Sequence, residues 1–150
     1  MVLAIVCFTV VGAQAQQLSM KEQLAALQRL EAMQPDSLGP KIQQAVLLLG
    51  FVCTNPQDSN AKQYVDEAQR IIRKIEALKP QKAADRSDLA TLQGFYYTAL
   101  IVMNPQQNGP RYYRQALDNL DKALKINPGN MMAKMLSERF KEGMTKGSSN

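Results

Sequence analysis

Acid–base or nucleophilic chemistry in this chain has to come from its 13 carboxylates, five tyrosines, two cysteines and hydroxyls, because none of its 150 residues is a histidine. Without imidazole there is no Ser-His-Asp or Cys-His arrangement and no His-ligated zinc. The close acidic groupings are Asp66-Glu67, Asp85 with Asp88, and Asp118 with Asp121. A glycosidase sets two carboxylates across a cleft. Asp118 and Asp121 instead stand beside Arg114, Lys122 and Lys125 at three- and four-residue spacing, the pattern of ion pairs on a solvated helix face. Neither a phosphate-cradling glycine loop nor a pair of CxxC motifs occurs. Met131, Met132 and Met135 have no neighbouring His and no repeated Met motif, so they read as packing of a closing helix rather than a soft-metal site. The expectation is a protein that is not an enzyme, with no cofactor and no metal.

Residues 1–13 are almost wholly apolar and uncharged and run straight into the polar stretch Gln14 to Gln17. That is how a secretory signal peptide reads, and Ala13-Gln14-Ala15 supplies the small residues a signal peptidase requires. Cleavage is expected after Ala15, leaving a helical domain over residues 16–145 and a disordered tail over 146–150. Thirteen apolar residues are too few for a bilayer span of roughly 20. The protein is therefore expected to be periplasmic or secreted, with no transmembrane span. Past the leader Cys53 is the one cysteine, at helical spacing with Ile42, Val46 and Leu49, and reads as a small buried apolar residue.

The net charge of +5 and pI near 9.3 gather partly in Arg70, Arg73, Lys74, Lys79, Lys82 and Arg86. Export argues against nucleic acid as the partner of this stretch. An acidic protein, an anionic lipid headgroup or an anionic glycan suits it better, and simple solubility accounts for it too.

The elements that would position any of these residues come from a repeat. Thr54-Asn55-Pro56-Gln57 recurs 49 residues later as Met103-Asn104-Pro105-Gln106, and Pro35, Pro80 and Pro128 stand 45 and 48 residues apart. Within each copy the apolar residues recur at three and four, the period of one buried helical face. Ile42, Ala45, Val46, Leu49 and Cys53 form one stripe, and Tyr64, Ala68, Ile71, Ile72, Ile75 and Leu78 its partner. Leu89, Leu92, Tyr96, Ala99, Leu100 and Met103 are answered by Tyr113, Ala116, Leu117, Leu120, Ala123 and Leu124. A helix over about 18–34 and another over about 130–143 bring the number to six, and no segment alternates like a strand. The fold class is all-α, a short solenoid of stacked antiparallel helix pairs.

Ala116, Leu120, Ala123 and Pro128 resemble the second helix of the tetratricopeptide repeat, and Ala68, Ile72, Ile75 and Pro80 repeat the pattern with Ile75 for the usual Ala. Small residues there allow close helix packing, and the Pro ends the helix. Among first helices two registers stay open: Leu89, Leu92 and Tyr96 at the aromatic, Leu and Tyr positions, or Gly94 and Tyr97 at the Gly and Tyr positions. The period exceeds the roughly 34 residues of that family. The excess is expected as long loops at 54–60 and 103–112. The second of these is similar to the extended loop of uncharacterised secreted helical-repeat proteins of Gram-negative bacteria, a resemblance covering about residues 38–136.

Such a frame implies a concave surface that holds a peptide or another protein of the cell envelope. In the preferred register Gln43, Leu47 and Phe51 of one first helix and Gly94, Tyr97 and Thr98 of the next face it. Leu47 and Phe51 would meet a ligand peptide, a second copy of the chain or the N-terminal helix. The alternative is an adaptor for envelope lipid or glycan that works through the basic stretch 70–86, led by Arg70, Arg73 and Lys74.

Overall fold

The structure, a computed structural model, describes residues 19–147, so the expected leader and the last three residues of the chain lie outside it. The described residues form an all-α fold of six helices: α1 (Met20–Met33), α2 (Leu38–Thr54), α3 (Ala61–Ala77), α4 (Ala83–Met103), α5 (Pro105–Ile126) and α6 (Met131–Gly147). No strand occurs among them. Class and helix number match the expectation from periodicity. α6 continues past Gly143, into the segment expected to be a disordered tail.

α3 shows how the pattern becomes a helix face. Tyr64, Val65, Ala68, Ile71, Ile72 and Ile75 are buried, while Lys62, Arg70, Arg73 and Lys74 between them are exposed. α2 and α4 are apolar on more than one side, as helices enclosed by others must be. α2 packs against α1, α3 and α4, and α4 against α2, α3, α5 and α6. Among the described residues the backbones of α1, α3 and α5 do not pack on one another, and α1 meets α3 only through side chains such as Gln28 with Glu67, so the molecule is held together mainly through α2 and α4. This packing is compatible with stacked helix pairs.

The two expected loops turn out differently although both follow Asn-Pro. After Asn55 the chain makes a turn, in which the Asp58 carboxylate accepts from the Asn60 N–H at 2.8 Å and α3 starts only at Ala61. After Asn104 there is no loop. The Asn104 side chain caps α5 by accepting from the Gln107 N–H at 3.3 Å, and Pro105 occupies the first helical position, where a missing N–H costs nothing. Residues 105–112, expected as an extended loop, are the first two turns of a 22-residue helix. Pro110 lies inside it, where it forgoes one backbone hydrogen bond. Asn108 helps close the junction by donating to the Leu100 carbonyl at 2.6 Å. The long period is thus met by a loop in one pair and by added helical turns in the other.

A polar cluster fixes α1 on α2. Lys41 is buried, and its ammonium donates to the carbonyls of Pro35 and Ser37 across the α1–α2 turn. Glu31 accepts from Gln44 at 2.7 Å and from Lys74 of α3 at 3.4 Å, with Lys41 3.6 Å away. Burial works against ionisation of Glu31, but the Gln44 hydrogen bond and the two lysines outweigh it and hold its carboxyl below the usual range.

Candidate functional site: an apolar groove between α4, α5 and α6

α4 and α6 start side by side. Asn130, at the head of α6, donates through Nδ2 to Ser87 Oγ at 2.9 Å, Asp88 Oδ1 at 3.0 Å and Thr91 Oγ1 at 3.2 Å. Its Oδ1 accepts from the Ala133 N–H at 3.1 Å and caps α6. Ser87 in turn donates to the Ala123 carbonyl of α5 at 2.8 Å. Ala90, Ala123 and Ala133 are fully buried here, and their small size brings the three helices close.

Further along, the same helices line a groove of about 790 Å³. α4 contributes Phe95, Thr98, Ile101 and Val102, the first turns of α5 contribute Pro105, Gly109, Pro110 and Tyr113, and α6 contributes Leu136, Arg139, Phe140, Gly143 and Met144. Cys53 at the end of α2 completes the lining. Arg139 is the one charged side chain on this wall. It takes no part in the ion pairs Lys41–Glu31, Lys62–Asp66 and Lys74–Glu31. Such a surface, largely apolar with a few polar groups, Thr98, Tyr113 and Arg139, to orient an occupant, has the composition of a binding site.

Cys53 does not bring a nucleophile to the groove. Burial pushes its thiol up to about 11, so at pH 8 only about one molecule in a thousand carries the thiolate. Alkylation of Cys53 by iodoacetamide is therefore expected to be slow at pH 8 and to rise roughly tenfold per pH unit toward pH 11. Peptide mapping that found Cys53 labelled at pH 8 as fast as free cysteine would contradict this.

The six residues expected to share one concave face are divided among five places. Gln43 and Leu47 line a hollow of about 340 Å³ with Gln23 and Leu27 of α1 and Met132 of α6. Phe51 packs edge-on against Tyr64, ring centroids 5.4 Å apart at 88°. Gly94 is buried under α5, and Tyr97 turns the other way, toward Tyr96 and Tyr112 at 5.3 and 5.5 Å. Only Thr98 lines the apolar groove. Of the six, the structure brings Gln43 and Leu47 to one hollow; α4 is apolar on more than one side, and its periodicity does not say which side is open.

Comparison of the chain with family models, with curated proteins and with solved structures finds no match. Of the basic stretch, Arg70, Arg73 and Lys74 are exposed on α3. Lys74 reaches Glu31, and Arg73 borders a hollow of about 240 Å³ with Tyr96 and Tyr97. Asp66 bonds Lys62 at 2.7 Å, and Asp118 and Asp121 are exposed around a shallow hollow with Arg86, Lys122 and Lys125. No group of three potential metal ligands converges among the described residues. No described helix is long and apolar enough to cross a membrane.

Sequence reasoning passed over Phe95, Ile101, Val102 and Phe140, and it placed Tyr113 in a helical stripe rather than in a groove. Two signals were present. α4 carries more apolar residues than one buried face requires, and Leu136 with Phe140 makes an i, i+4 apolar pair on a terminal helix.

Proposed function

We propose that the protein is a non-catalytic exported scaffold, of the tetratricopeptide-like kind, that holds a protein or peptide of the cell envelope. The observation that carries this reading is the apolar groove walled by α4, α5 and α6, which is open and large enough to take side chains of a partner. The order of elements also supports it, since helices that contact only near neighbours leave extended surfaces for binding. The close approach of Gly94 to Ala116 and Leu120 favours the register that puts Gly94 at the family's Gly position. Export rests on residues 1–15 of the sequence.

The alternative, an adaptor for anionic lipid or glycan acting through Arg70, Arg73 and Lys74, retains the exposure of these three side chains in its favour. The contact of Lys74 with Glu31 counts against a continuous cationic patch.

Retention of envelope proteins by the immobilised chain separates the two readings. In about 1 M salt the Debye length falls to about 3 Å, so binding through the basic face is lost and binding in the groove is kept. Ile101→Asp, with its far-UV circular dichroism unchanged, is expected to release whatever the unaltered protein retains. Identical retention by both would overturn the groove as the binding surface.

A further inference from the structure

The groove has a length and a charge that specify its occupant. Along α4 it runs from Phe95 to Val102 and along α6 from Leu136 to Met144, seven and eight residues, or about 10–12 Å at the helical rise. Residues i and i+7 of a helix are also about 10 Å apart, so the groove accommodates a stripe of i, i+3 or i+4, and i+7 side chains over two turns. An extended peptide would expose unpaired backbone groups to these apolar walls, whereas a helix satisfies its own. Its rims are likewise helices, α4 and α6. Within this lining, Arg139 stands between Leu136 and Phe140 as the single charge and takes no part in the ion pairs of Lys41, Lys62 and Lys74. Arg139 is exposed at the edge of the groove, where a cation on the occupant would meet like charge and a carboxylate would pair with the guanidinium in the geometry it prefers.

We propose that the groove binds an amphipathic helix of a partner protein that lays its apolar stripe between α4 and α6 and sets a carboxylate against Arg139. This rests on the reading of the groove as the partner site, and adds to it the conformation and charge of what binds. The basic balance of the whole chain would by itself favour acidic ligands, so the test separates Arg139 from net charge.

Two synthetic peptides of about 18 residues, five helical turns, with one leucine stripe and either Glu or Lys on the polar side, are titrated into the full chain at physiological salt. The Glu peptide is expected to bind roughly tenfold more tightly or better. Arg139→Glu should erase or invert that preference. Arg70→Glu, which changes net charge equally on the exposed face of α3, should leave it. Equal affinity for the two peptides, or equal effects of the two substitutions, would overturn the assignment to Arg139 while leaving the groove reading in place. Failure of both peptides to bind would overturn the helical occupant, and if Ile101→Asp also left retention of envelope proteins unchanged, the groove reading would fall with it. Saturable binding of dodecanoate where neither peptide binds would overturn the proposal in favour of a single-chain lipid.

Discussion

Replacing Asn130 by Ala is expected to lower the unfolding free energy by about 3 kcal/mol, with a fall in Tm of roughly 6–12 °C for a chain of this size. One side chain performs two tasks. Its oxygen caps α6 at the Ala133 N–H, a contribution of about 1 kcal/mol in typical caps. Its amide nitrogen faces three oxygens of α4 in a site where Asn130, Ser87 and Thr91 are all buried, so Ala leaves those oxygens short of a donor away from water. Asn130→Asp separates the tasks. It keeps the cap acceptor, loses the donor and places a second carboxylate against Asp88. Burial already raises the Asp88 carboxyl above its usual range, the Asn130 hydrogen bond lowers it, and Asp85 raises it again. The loss in Asn130→Asp should accordingly be larger at pH 7 than near pH 4, because protonation relieves the repulsion. Urea midpoints at both pH values measure this, and an Asn130→Ala protein within 1 kcal/mol of the parent would refute the account.

The second large effect is at Gly94, which lets α4 and α5 approach so closely that a methyl group does not fit. A Cβ there would come within 2.8 Å of Leu120 Cγ, 2.9 Å of its Cδ2 and 3.2 Å of the Ala116 carbonyl oxygen. Leu120 is fully buried and the carbonyl belongs to the backbone of α5, so neither can step aside cheaply. Gly94→Val is expected to cost about 3 kcal/mol or more. Gly94→Ala is the more informative variant, because Ala is favoured over Gly inside a helix by about 1 kcal/mol and the contact opposes that gain. A net loss of about 1–2 kcal/mol is expected. Leu120→Ala alone should cost about 2–5 kcal/mol, and adding Gly94→Ala to it should cost less than the two losses together, since the vacated space admits the methyl. Additive losses in equilibrium unfolding would show that the close approach is not the cause.

Much of the architecture was legible in the sequence because each helix advertises its own buried face. Ile71, Ile72 and Ile75 locate the inner side of α3, and Pro80 and Pro128 fall between helices where expected. The misread segment, residues 105–112, contains two prolines and a glycine, which as composition indicate a loop. Position reverses that meaning, for Asn104 and Pro105 together make a helix start. The groove was less legible. Tyr96 and Tyr97 face the α3 and α5 side while Phe95 and Thr98 face the groove, and four adjacent residues on a helix surrounded by partners carry no periodic signal to divide them. Lys41 and Asn130 were invisible for a different reason. A lysine or asparagine reads as exposed until its acceptors are known, and those of Asn130 lie 39 to 43 residues away in the chain.

The connections around the groove differ in ways that bear on how it could change shape. α4 and α5 are joined through Asn104 alone, whose backbone and side chain are both engaged, with Asn108 tied across the junction. Two walls of the groove therefore move as one rigid bracket. α6 is attached through residues 127–130, held to α4 at its head by Asn130 and packed into the core through Ala133, Leu136 and Ser137, so its buried contacts end about two turns in. The width of the opening thus depends on the part of α6 beyond Ser137, where the helix is largely exposed, and a partner seated between Val102 and Phe140 would bear on those last turns.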